Sequence, residues 1–288
     1  GKCDGPGSTP STAKRPFKWH RVPDCPVVEA LLVVGLVVAA FVGFNIGGSS
    51  TGVAFGPAVG SDVVSKVGAA ALMTVFALLG RLPVGRNVVA TMGGRIVPSS
   101  AFTLEASIAV LFFIGFALFL SNLVGVPAST SMTGVGAIAG LGLAQENLDV
   151  DVMVTIVSYW VVAPVAAFWV SAVVGRYLYP SLVERFAVAQ TEGSLLALDR
   201  SGAVPRPVLG PGTTQRELVG TGLVVVIGCY MAFSAGASNV ANAIAPLVGS
   251  GYIDMTPGIL LAGVAIGVGA FTIARRTLDT MGNDLTQL

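Results

Sequence analysis

Long apolar runs alternate with short polar interruptions along this 288-residue chain. A helix that spans a bilayer needs about 20 mostly apolar residues, and the runs at 27–44, 63–79, 101–120, 152–174, 218–233 and 257–274 approach or reach that length. Polar connections separate them. One carries Arg81, Arg86 and Arg95, another is an acidic turn with Glu146, Asp149 and Asp151, and Arg275-Arg276 closes the last run. Pro164 sits inside the run 152–174, where a kink is expected. The pattern predicts an all-α integral membrane protein.

Two stretches do not fit a plain spanning helix. Residues 45–61 and 234–250 are rich in Gly, Ala, Ser and Asn and contain Pro57 and Pro246. Sliding 44–93 onto 233–282 without a gap matches 15 of 50 positions, where a composition of this bias gives about four by chance. The chain is internally duplicated at an offset of 189 residues. The expected layout is a disordered polar N-terminal tail at 1–26, a first transmembrane repeat at 27–175, a polar linker at 176–217 and a second repeat at 218–288. The second repeat is expected to be incomplete, because the counterpart of the segment at 127–132 would fall near position 316. The copies are expected to be inverted, with discontinuous helices and re-entrant hairpins, if the segment 127–144 crosses fully; a re-entrant 127–144 would make them parallel instead.

Composition narrows the function classes. With 53% hydrophobic residues, 11% charged and a mean hydropathy of +0.81, the chain has lipid as its solvent. Its net charge of +1 and scattered arginines form no basic face, which argues against nucleic acid as a partner. Loops rich in arginine at 81–95 and 176–216 are expected on the cytoplasmic side and the acidic turn on the outer side of the cell (plasma) membrane. Cys3, Cys25 and Cys229 have no metal-like spacing and read as unpaired thiols. Asp62 and Lys66, four apart, are placed for an ion pair on one helix, and Glu105 reads as an interfacial or cap-adjacent charge. No set of nucleophile, base and orienter is legible, so no enzyme activity is expected, and no cofactor.

Chemistry concentrates at the duplicated segments. A broken helix in a bilayer exposes N–H and C=O groups that protein, water or a ligand must satisfy. N-termini of half-helices suit an anion, while Asn, Ser and Thr oxygens suit a small cation. Ser238, Asn239 and Asn242 form one such polar set, with Asn239 and Asn242 three apart on one helical face. The small residues around them also permit close helix packing, which is the plainer reading. After Pro127, the hydroxyls of Ser129, Thr130 and Ser131 read either as a helix N-cap or as an oxyanion cradle.

The second copy, Gly236-Ala237-Ser238-Asn239-Val240-Ala241-Asn242-Ala243, resembles the hallmark of the inorganic phosphate transporter (PiT) family, Gly-Ala/Ser-Asn-Asp-Val-Ala-Asn-Ala. Pro127-Ala128-Ser129-Thr130-Ser131-Met132, leading into Gly136-Ala137-Ile138, is similar to the family's Pro-Val-Ser-Thr-Thr-His segment. The resemblance implies an inverted-repeat secondary transporter, often a homodimer, that moves inorganic phosphate by Na+ or H+ symport with alternating access. It implies phosphate contacts at Ser129, Thr130 and Ser131, and cation contacts at Ser238, Asn239 and Asn242, with Ser49 and Ser50 at the matching positions of the first copy. The family's two aspartates are Ser50 and Asn239 here. Two alternatives stand beside this: a sulfate permease of the same family, and a truncated membrane protein that does not transport.

Overall fold

The computed structural model describes residues 26–80, 85–181, 196–199, 206–209 and 214–284. Helix α1 runs Pro26–Gly60, α2 Lys66–Gly80, α3 Arg86–Met92, α4 Leu104–Val124, α5 Thr130–Ala144 and α6 Val150–Val173. A two-stranded antiparallel ribbon follows, β1 Leu196–Asp199 with β2 Arg206–Leu209. Then come α7 Gln215–Gly249, α8 Met255–Thr272 and α9 Ala274–Asp279. The N-terminal tail, His20, Cys3 and Cys25 lie outside the described residues, as does much of the linker. The ribbon lies within the polar linker, and the membrane-spanning part is all-helical among the described residues. Five described helices are long and apolar enough to cross a membrane: α1, α4, α6 with its extension to Ser181, α7 and α8.

The described residues fall into two units, one of 26–153 and 229–284 and the other of 154–228. In the smaller unit, α7 starts on a reciprocal cap: Glu217 N–H donates to Thr214 Oγ1 at 3.2 Å while Thr214 N–H donates to Glu217 Oε2 at 3.4 Å. Pro164 is accommodated inside a continuous α6, which continues as a π turn at Val174–Leu178.

In the larger unit the expected interruptions are absent. α1 and α7 each continue for 35 residues through the Gly/Ser/Pro segments, with Pro57 and Pro246 inside them. Each is about 52 Å long, against a hydrocarbon core of about 30 Å. The physical reason is packing. The glycines bring neighbouring backbones into contact while the ladder of helical hydrogen bonds is kept. A Cβ at Gly47 would lie 2.0 Å from the Ile266 carbonyl oxygen, and one at Gly269 1.8 Å from that of Phe44.

These contacts come in reciprocal pairs at the duplication offset. Gly47 abuts Ile266 and Gly236 abuts Ala77; Gly80 meets Phe233 and Gly269 meets Phe44; Gly60 touches Gly282 and Gly249 touches Gly93. Each copy's first helix therefore packs on the other copy's second. α1 and α7 run antiparallel across each other, since Gly35 lies against Leu247 whereas Ser50, fifteen residues on, bonds Asn239. α4 also packs on α1, with Gly115 against Phe41 and Val42, and touches α7, where Ser107 Oγ donates to the Pro246 carbonyl at 2.9 Å.

One further expectation changes. Asp62 sits at a left-handed φ of 55° in the turn after α1, and Lys66 pairs with Asp279 at 2.5 Å instead. α5 has 15 residues, about 22 Å, and by itself falls short of the bilayer core. Glu105 lies in the first turn of α4 beside the N-cap Thr103, where a negative charge complements the helix dipole.

Candidate anion site

The site grows from the connection between α4 and α5. α4 ends on Gly125 at φ 74°, a left-handed C-cap, with its N–H on the Asn122 carbonyl. Three residues without helical structure then lead to Ser129, the N-cap of α5, whose Oγ accepts from Met132 N–H at 3.4 Å. The N–H groups of Thr130 and Ser131, in the first turn, have no intrahelical acceptor and mark the positive end of the α5 dipole. Thr130 is buried and Ser129 exposed.

Three contacts close a loop through three elements. Ser49 Oγ on α1 accepts from Ala128 N–H at 3.1 Å and donates to the Ala128 carbonyl at 3.3 Å. One residue on, Ser50 Oγ accepts from Asn239 Nδ2 of α7 at 2.8 Å. One helical turn further along α7, Asn242 Nδ2 donates to Ser131 Oγ at 3.5 Å, returning to α5. Ser50 and Asn239 are equivalent positions of the duplication, 189 residues apart, so the two copies touch at their own counterparts.

Of the sequence-predicted residues, the structure thus gathers Ser49, Ser50, Asn239, Asn242 and Ser131, with Ser129 and Thr130 beside them on α5. Ser49 spends its hydroxyl on Ala128 and holds the connection. Ser238 is not brought in: its Oγ faces the Ser234 and Ala235 carbonyls of its own helix. Asn45 and Asn122 were not predicted. Asn122 Nδ2 donates to the Asn45 carbonyl at 2.9 Å and to Asn45 Oδ1 at 3.2 Å, fixing the end of α4 on α1. Their signal in the sequence is one amide at the edge of each apolar run. Arg276 Nη1 donates to the Leu123 carbonyl at 2.9 Å, and Thr277 Oγ1 to that of Gly48 at 2.6 Å.

The site thus brings hydroxyls, side-chain amides and a helix N-terminus together where α1, α5 and α7 meet, a donor-rich arrangement suited to an anion's oxygens. The sequence profile of the phosphate transporter family matches residues 46–288. The chain belongs to that family. The family places it among multi-pass integral membrane proteins, in keeping with its apolar helices. The sulfate permease CysP of Bacillus subtilis is 32% identical over 256 residues, covering 88% of this chain and 65% of that relative. A Helicobacter pylori protein described as a phosphate permease is 34% identical over 143 residues, 46% of this chain and 27% of the relative. The chain thus spans under two thirds of the length of these relatives. A solved structure, the sodium-dependent phosphate transporter, matches with a TM-score of 0.62 at 19% identity, covering 90% of this chain and 79% of that one. At that identity the match speaks for the fold.

Proposed function

We propose that this chain carries the anion site of a secondary transporter that moves inorganic phosphate across the cell membrane, by cation symport with alternating access. The observation that carries the proposal is the hydrogen-bonded loop joining α1, α7 and the N-terminus of α5. Phosphate oxygens would lie against the N–H groups of Thr130 and Ser131 and the hydroxyls of Ser129, Thr130 and Ser131. Asn239 and Ser50 are the neutral oxygens offered to a coupling cation, Na+ in the first instance. The two copies, 27–175 and 218–288, are read as an inverted pair; the antiparallel crossing of α1 with α7, equivalent helices of the two copies, supports this over the parallel arrangement that a short α5 alone would suggest. Such a pair supplies the two states that alternating access needs.

Sulfate is the second reading. It is favoured by the relationship to a sulfate permease over 88% of the chain and by a lining of Ser, Thr and Asn in which no carboxylate stands among the described site residues. Uptake of labelled phosphate and sulfate into proteoliposomes, with sodium and proton gradients imposed separately, tests both. Phosphate uptake driven by a sodium gradient, and reduced about tenfold or more in Thr130→Ala, is the expected result. Uptake of neither anion, or uptake unchanged in Thr130→Ala, would remove the proposal.

A further inference from the structure

Two side-chain oxygens of this region, those of Asn122 and Asn242, are left over by the hydrogen bonds that build it, and the second lies against α5. Asn242 is 1% exposed, its Nδ2 is turned to Ser131, and its Oδ1 is buried with no partner among the described residues. Glycine at position 134 makes the space this oxygen occupies: a Cβ there would lie 2.7 Å from Oδ1 and 3.1 Å from the end of the Met92 side chain. Thr130 and Gly134, four apart, share the buried face of α5. Asn242 therefore holds an acceptor one helical turn from the N–H groups of the α5 terminus. Pro246 adds to this, because it has no N–H to offer the main-chain carbonyl of Asn242 four residues earlier.

A buried carbonyl without a donor is disfavoured, so its presence asks for a donor supplied from outside the chain. The two tetrahedral oxyanions differ in this respect. Inorganic phosphate keeps at least one O–H throughout the neutral pH range, whereas sulfate has none and meets an acceptor only with a lone pair. A site built to accept a hydrogen bond from its ligand rejects the analogue that lacks the proton, because the acceptor is then left unpaired.

We infer that Asn242 is a specificity-determining residue whose Oδ1 accepts the O–H of a protonated tetrahedral oxyanion and so selects phosphate over sulfate. The inference rests on the reading of the α5 N-terminus as the anion cradle. It gives Asn242 a role toward the anion, distinct from one as a cation ligand.

The test is competition binding on the purified full chain, with labelled inorganic phosphate displaced by sulfate at several sodium concentrations. The wild-type chain is expected to prefer phosphate. Asn242→Ala is expected to lower the phosphate-to-sulfate preference by about tenfold, chiefly by weakening phosphate. Asn242→Asp keeps an acceptor and is expected to keep the preference. Gly134→Ala, whose Cβ would lie 2.7 Å from Oδ1 and so displaces the side-chain amide while residue 242 stays Asn, is expected to act like Asn242→Ala. A sulfate-preferring wild type overturns the inference. So does an Asn242→Ala variant that weakens both anions equally, or that changes the sodium dependence at a constant anion ratio. The cradle reading fails separately, if neither anion binds or if Thr130→Ala and Ser131→Ala leave both affinities unchanged.

Discussion

Ser49 and Ser50 are adjacent in sequence and address different neighbours, one the connection before α5 and the other α7. Consecutive side chains on a helix point about 100° apart, so a pair of small hydroxyl residues lets one helix serve two partners. Ser49→Ala removes both bonds to Ala128 and frees the connection that aims the α5 terminus. The expected result is a several-fold weaker anion affinity with little change in melting temperature. Asn122→Ala loosens the same connection from the other end. The two effects on affinity are then expected to be non-additive in a double-mutant cycle, by more than about 0.5 kcal/mol. Simple additivity would mean that Ser49 and Asn122 act separately.

At the scale of elements, the apolar runs gave the places of the long helices, because lipid demands length and hydropathy and little else; of the six runs, the one at 63–79 became the 15-residue α2, and α1 and α7 extend well past the runs at 27–44 and 218–233. The continuity of α1 and α7 was not legible. Gly, Ser and Pro in a row are the signature both of a helix that breaks and of one that is approached closely. Which applies is decided by whether another backbone fills the space, and that depends on residues some 190 positions away. Gly47 against Ile266 and Gly236 against Ala77 show the second case. The candidate site was legible as a set of residue types, since polar groups at membrane depth stand out. Its connectivity was not: Ser238 looked equivalent to Asn239, yet it faces its own helix. Replacing Gly269 with valine would drive a side chain into the Phe44 carbonyl and force α1 and α8 apart. The expected cost is about 1–3 kcal/mol of stability, read as a lower melting temperature in detergent. An unchanged melting temperature would show that the helices are not in contact there.

For the molecule as a whole, the two copies exchange partners, so that neither buries its own glycine-lined face by itself. Without a hydrophobic force between helices in lipid, such close backbone packing and a few buried hydrogen bonds are what hold the halves together. Cysteines placed at 35 and 247, or at 50 and 239, are expected to cross-link within one chain. Failure of both pairs would contradict the antiparallel crossing. The Lys66–Asp279 pair also bridges the copies, but its side chains are 43% and 45% exposed. Lys66→Met is accordingly expected to change stability by less than about 1 kcal/mol.

The central claim is that the first turn of α5, held by α1 and α7, is where the chain binds its anion. Hydrogen–deuterium exchange of the purified chain with and without inorganic phosphate, read at the amides of Thr130 and Ser131, tests this most directly. Bound phosphate is predicted to slow exchange at those two amides and to leave the amides of α2 unchanged. Phosphate that binds while exchange at Thr130 and Ser131 stays the same would place the anion elsewhere and contradict the account.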